Sequence, residues 1–347
     1  MIKVLVVEDS AVVREFLVHI LNSDPQVEVI GTANNGEEAL EAVKRRKPDV
    51  ITMDIHMPKL NGFDATRRIM ETYPTPIVIV SGSTTAQEIA TTFRALEAGA
   101  LAIVPRPKGI GHPEHQATAK ELVQTVKLMS EVKVVRRWPR PNAEHASRPV
   151  PRVEIHSAPV EVKMVAMGAS TGGPMVYRTI LSELDKDFAA PILIVQHMTS
   201  GFIEGFAEWL SQSPGPPAHV AADGEDALPG RVYIAPDGFQ MGVKAGGRIA
   251  LSKDEPENGL RPSVSYLFRS VANAYGRQGV GVLLTGMGKD GAEELKLMKD
   301  SGAITIVQDE KSSVVPGMPG EAIKLGAESY VLSPDRIAGA LKNLVKR

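Results

Sequence analysis

Residues Met164-Val165-Ala166-Met167-Gly168-Ala169-Ser170-Thr171-Gly172-Gly173-Pro174 read as an apolar strand, a glycine-lined turn and the start of a helix. A serine on such a turn is pushed out at the sheet edge with its hydroxyl exposed. Gly168 to Gly172 also fits the G-x-S-x-G pattern of a nucleophile elbow. The same residues suit a phosphate cradle at a helix N-terminus, or an ordinary turn. Whether Ser170 is a nucleophile depends on the rest of the chain supplying a base and an orienting acid.

Downstream, strand-like apolar runs fall at 192–195, 232–234, 280–284, 304–307 and 330–332. Helical patterns fall at 202–210, 264–274, 292–299 and 336–345. Continuous apolar strands spaced by helices predict a parallel sheet covered on both faces. Glycine-containing segments between 230 and 251 predict antiparallel hairpins set between the parallel units. The run 192–195 ends in Gln196-His197-Met198, and 280–284 ends in Thr285-Gly286-Met287-Gly288-Lys289-Asp290-Gly291. Ser170, His197 and Asp290 thus each follow a strand, where open α/β sheets place their ligands. A serine hydroxyl needs an imidazole to take its proton, and the imidazole needs a carboxylate to fix its tautomer. Each signal alone is weak, because a histidine at a strand end is commonly structural and Asp before Gly is a common turn. The coincidence of three strand ends carries the reading. The order Ser…His…Asp differs from that of α/β-hydrolases, so the turn does not imply that fold. The amides of Met287 and Thr171 are the candidate oxyanion donors.

The first 130 residues show the same alternation, with strands at 4–7, 27–30, 50–53, 77–80 and 101–104. Helical patterns lie at 11–21, 37–46, 64–71, 87–98 and 120–129. Five such units make a complete doubly wound domain. Glu8 and Asp9 follow the first strand and Asp54 follows the third. In a 2-1-3-4-5 order these strand ends flank one crevice. Three converging carboxylates repel one another, and a hard divalent cation such as Mg2+ relieves that. His112 and His115 lie in a Gly/Pro loop without a third ligand, so no metal is expected there.

A length of 347 residues suits two domains, and a net charge of −2 gives no electrostatic case for nucleic acid as partner. With no cysteine, disulfides, thiolate chemistry and Cys-ligated zinc are excluded. No apolar run approaches the roughly 18 residues of a membrane span, so direct membrane insertion is not expected. The N-terminus leads straight into a strand, so a cleaved leader is not expected and the reading is cytoplasmic. From about 133 to 159, prolines and arginines without apolar periodicity predict an extended linker, its charge more often solvated than docked. The expected boundaries are 1–130, a linker at 131–160, and 161–347.

Val7-Glu8-Asp9-Ser10, Asp54-Ile55-His56-Met57-Pro58 with Asn61-Gly62, Ser81 and Arg106-Pro107 resemble the receiver domain of two-component response regulators. The resemblance implies a flavodoxin-like fold, phosphorylation of Asp54, and Mg2+ held with Glu8 and Asp9. It implies that Ser81 senses the phosphoryl group, and that Arg106-Pro107 is cis. The family carries Lys where this chain has Arg106, whose planar fork differs from a compact ammonium; Lys108 is the nearby substitute. From 162 onward the chain resembles the catalytic domain of the chemotaxis protein-glutamate methylesterase. The residues that carry this are Gly168 to Gly173, Gln196-His197-Met198, Gly230 to Pro236, Arg261-Pro262-Ser263-Val264, Leu284 to Gly291 and Gly317-Met318-Pro319. The family carries an acid where this chain has Ser265. The resemblance implies demethylation of glutamate methyl esters on methyl-accepting chemoreceptors, deamidation of certain receptor glutamines, and no cofactor for the hydrolysis. It also implies a histidine kinase of the chemotaxis type as phosphodonor, and a receiver that covers the active site until Asp54 is phosphorylated. The alternatives are a deamidase with little esterase activity, a module that only docks on receptors, and a DNA-binding response regulator. Against the last, the second half lacks a short basic recognition-helix domain.

Overall fold

The computed structural model describes residues 1–83, 85–134 and 160–345. The chain divides into two compact units, Met1–Ala146 and Ser147–Arg347. The Pro/Arg-rich stretch at 135–159, most of the expected linker, lies outside the described residues.

The first unit alternates strand and helix throughout: β1 (Ile2–Val7), α1 (Ala11–Asn22), β2 (Val27–Ala33), α2 (Gly36–Arg46), β3 (Val50–Met53), α3 (Gly62–Thr72), β4 (Ile77–Ser81), α4 (Ala86–Ala98), β5 (Ala102–Pro105) and α5 (His115–Ser130). The order is β2-β1-β3-β4-β5, the one that brings the carboxyl ends of β1 and β3 side by side, and every pairing is parallel, as the apolar runs predict. Val50 to Met53 and Ile77 to Ser81 are buried along their whole length, which is why these strands lack a polar alternation. Polar side-chain caps start α2, α3 and α4. The Asn35 side chain accepts the N–H of Glu37 and Glu38, and Thr85 with Glu88 forms a capping box.

The second unit comprises β6 (Met164–Ala169), α6 (Gly173–Ser182), β7 (Ile192–Gln196), α7 (Ile203–Ser211), β8 (Ala218–Val220), β9 (Val232–Ile234), β10 (Gln240–Val243), β11 (Ile249–Ser252), α8 (Val264–Tyr275), β12 (Gly279–Leu283), α9 (Ala292–Asp300), β13 (Ile304–Gln308), α10 (Gly317–Lys324), β14 (Tyr330–Leu332) and α11 (Pro334–Leu344). Seven strands form a parallel sheet in the order β14-β13-β12-β6-β7-β9-β8. Between 230 and 251, β9 joins the parallel sheet, and β10 and β11 form the expected antiparallel hairpin. The edge strand β8 escapes sequence reading because it is three residues long and follows Pro216-Pro217. The central strand β6 is buried at all six positions, between β12 and β7. Its carboxyl end therefore emerges at the middle of the sheet edge.

One expectation fails. Among the described residues the cis peptide bond is Arg261-Pro262, and Arg106-Pro107 is not cis.

Candidate active site

Parallel register brings the three strand ends of the second unit together. Gly168 pairs with Leu283 on one side and with Val195 on the other. Past the last rungs, the Ser170 N–H donates to Thr285 O at 3.0 Å and the His197 N–H donates to Ala169 O at 3.0 Å. Ser170 thus leaves the sheet between the His197 loop and the loop carrying Asp290. Gly168 is small for a reason: a Cβ there would lie 2.2 Å from Val264 Cγ1, the first residue of α8. That close approach brings the α8 N-terminus against the Asp290 loop.

Asp290 is buried, and its carboxylate is surrounded by donors. Oδ2 accepts the Val264 N–H at 2.6 Å and lies 2.8 Å from His197 Nε2. Oδ1 accepts the Ser263 hydroxyl at 2.9 Å and the Ser265 N–H at 3.1 Å. Burial pushes its pKa up, but the bond and charge of His197 together with bonds from Ser265 and Val264 outweigh this and bring it down to about 2. An ionised Asp290 fixes Nε2 of His197 as the protonated nitrogen, leaving Nδ1 with the lone pair. Among the described residues no hydrogen bond joins the Ser170 hydroxyl to the imidazole.

Thr171 and Met287 flank this point. None of the hydrogen bonds of the described residues takes the N–H of either, and the Met287 side chain is exposed. Ser265, the departure from the family pattern, sits against Asp290, and its hydroxyl accepts the Gly291 N–H at 2.9 Å.

Sequence reading missed Ser263, the N-cap of α8, although a serine before an apolar run is a cap signal. It also missed Thr285, whose hydroxyl donates to Thr171 O at 3.0 Å and whose N–H is held by Gln308 Oε1 at 2.8 Å. Nothing local in the sequence marks those partners.

In the first unit, Glu8, Asp9 and Asp54 each offer an oxygen, and these oxygens lie within 4.8 Å of one another. Burial, and then the Asp54 charge, push Glu8 up to about 7; burial also raises Asp54. Arg106 Nη2 lies 3.1 Å from Glu8 Oε2 and 3.9 Å from Asp54 Oδ1. Lys108 is exposed, and Arg106 is the cation at the acids. Ser81 is buried at the end of β4, and its hydroxyl donates to Ser83 Oγ at 2.9 Å. Glu8 and Asp54 are buried and Asp9 is exposed; close all-oxygen donors whose charges repel suit a hard cation, so this set fits Mg2+. His112 Nδ1 accepts the Glu114 N–H, and His115, the first residue of α5, meets Lys108 O through Nδ1, so each is engaged locally.

A receiver-type sheet with an acidic cluster, joined to a doubly wound sheet with a serine turn and a His–Asp pair at its carboxyl edge, defines a two-domain response regulator with a hydrolase-type output domain. The CheB methylesterase family matches residues 165–341, and the response regulator receiver domain matches residues 4–112. The chain is 61% identical over 345 residues to a protein-glutamate methylesterase/protein-glutamine glutaminase of Nitrosospira multiformis, covering 99% of this chain and 97% of that one. It is 58% identical over 345 residues to one of Geobacter metallireducens, covering 99% of each. The crystal structure of the Thermotoga maritima CheB methylesterase catalytic domain is similar at 39% identity and TM-score 0.51, over 52% of this chain and 98% of that one. The chain belongs to the CheB methylesterase family. Among the described residues no helix is long and apolar enough to cross a membrane.

Proposed function

We propose that this chain is a phosphorylation-controlled serine hydrolase of the cytoplasm. It demethylates glutamate γ-methyl esters on methyl-accepting chemoreceptors and deamidates selected receptor glutamines. The observation that carries the reading is the 2.8 Å bond between His197 and Asp290 at the edge where the Ser170 turn emerges. Ser170 Oγ attacks the ester carbonyl while His197 Nδ1 takes its proton, and Asp290 stabilises the imidazolium. The N–H groups of Thr171 and Met287 receive the oxyanion. The C–O bond to methanol breaks as the imidazolium returns the proton. Water then enters, His197 again takes a proton, and the acyl-enzyme yields glutamate and free Ser170. With glutamine the leaving group is ammonia. The relatives quoted above are named for both reactions, which favours both here.

Control runs through Asp54, which accepts a phosphoryl group from a chemotaxis-type histidine kinase. Glu8, Asp9 and Asp54 would hold Mg2+, which when bound offsets the negative charge of the acids so that a phosphoryl donor can approach. Ser81 and Arg106 respond to the phosphoryl group. The working boundaries are a receiver at 1–130, a linker at 131–160 and a catalytic domain at 161–347. The test is methanol release from methylated receptors with and without a phosphodonor. Ser170→Ala is expected to release none in either case, and Asp54→Asn to keep basal release without stimulation. Release by the alanine variant overturns the reading.

A further inference from the structure

We propose that Gln196 is a positioning residue that locks the Ser170 turn to the His197 loop through a single side-chain amide; this rests on the triad reading above. Gln196 is the last residue of β7, paired in register with Ala169, and it is 2% exposed. Its Nε2 donates to Ser170 O at 2.9 Å and to His197 O at 2.7 Å. One NH2 group thus spends its two protons on the main chains of the proposed nucleophile and the proposed base. The orientation of the amide follows from its partners, since only an NH2 can face two carbonyl oxygens.

The other end of the amide is informative. Oε1 is buried without a hydrogen-bond partner. It points at Gly173, where a Cβ would lie 2.2 Å away. An unpaired buried oxygen is costly. An apolar side chain of the same size would fill the space without that cost. The NH2 end offsets that cost by holding two loops that no side-chain hydrogen bond between Ser170 and His197 otherwise joins. On its other side Ser170 is held by Thr285 O, so its N–H and its C=O are tied to neighbouring strand ends.

The amide is buried with both protons on main-chain oxygens, so its loss is expected to lower kcat with little change in KM. The experiment uses the full chain with Gln196→Met, close in volume and without donors, and Gln196→Glu. Gln196→Met is expected to lower kcat for methanol release roughly tenfold to a hundredfold, and to slow labelling of Ser170 by a fluorophosphonate in proportion. Gln196→Glu can donate one hydrogen bond when protonated and none when ionised. Its kcat relative to wild type is therefore expected to recover as pH falls, whereas that of Gln196→Met is not. A purely structural role would not give that divergence. A folded Gln196→Met with wild-type kcat, or a folded Gln196→Glu with wild-type kcat at pH 8, overturns the proposal. In the wild-type chain the Gln196 side-chain amide protons are expected to exchange slowly by NMR, and fast exchange overturns it even where the variants fail to fold. Ser170→Ala is run alongside: methanol release by it sinks the triad reading itself, whereas an inactive alanine variant beside a fully active Gln196→Met sinks only the role of Gln196.

Discussion

Asp290 Oδ2 lies 2.8 Å from His197 Nε2, and the same oxygen accepts the Val264 N–H at the start of α8 at 2.6 Å. The helix N-terminus and the imidazole thus share one buried carboxylate, and the nitrogen left with a lone pair is Nδ1. Asp290→Asn keeps the shape but removes the charge that fixes the tautomer. It is expected to lower kcat by about 10⁴-fold with the protein still folded, measured as methanol release. The carboxyl titrates near 2 in the folded chain against an ordinary value of 3.8. Its stabilisation is therefore present above pH 3.8 and lost as pH falls through about 2. The stability gap between wild type and the Asn variant is expected to close across that window in acid denaturation.

Glu8 carries the opposite shift, from 4.5 up to about 7. Between these values the folded chain keeps a proton that the unfolded chain has released, so its contribution to stability falls as pH rises through the window. A cation competes with that proton. Mg2+ affinity of the chain is expected to tighten with pH by up to about tenfold per unit below 7 and then level off. A Mg2+ titration at several pH values checks this, and Glu8→Gln is expected to flatten the profile.

Arg106 places a guanidinium nitrogen 3.1 Å from Glu8, against one of the acids offered to the cation. A lysine presents a compact ammonium and no fork. Arg106→Lys is expected to raise the ratio of phosphodonor-stimulated to basal methanol release. An unchanged ratio would show that the native arginine already couples the two fully.

Gly286 separates two loops of the hydrolase half. A Cβ there would lie 2.3 Å from Met318 Sδ and 2.7 Å from Ser170 Cβ. Gly286→Ala is expected to displace the serine and lower kcat on the order of a hundredfold. Gly320, inside α10, has nothing within 4 Å of its would-be Cβ. Gly320→Ala is expected to leave kcat unchanged and raise stability by about 0.4–1 kcal/mol, read by thermal unfolding.

Much of this protein follows from local pattern. Strands such as Val50 to Met53 and Met164 to Ala169 are buried along their whole length, so their runs are continuously apolar and a parallel, helix-covered sheet can be read without coordinates. The strand ends carrying Ser170, His197, Asp290, Glu8 and Asp54 are visible for the same reason, because a polar residue after an apolar run marks where a strand stops. What the sequence alone determined is therefore the layer architecture and which side chains leave each strand at its carboxyl end. The tertiary structure decided relationships between segments far apart in the chain. These are which histidine nitrogen meets Asp290, that Ser263 and the α8 N-terminus hold that carboxylate, that Gln196 spans two loops, and that Arg106 sits on Glu8. It also decided that the cis bond falls at Arg261-Pro262 and that Ala218–Val220 forms an edge strand. Periodicity records only whether a residue is buried. Hydrogen-bond partners depend on register and packing, and these exist only once the sheet has closed on its helices.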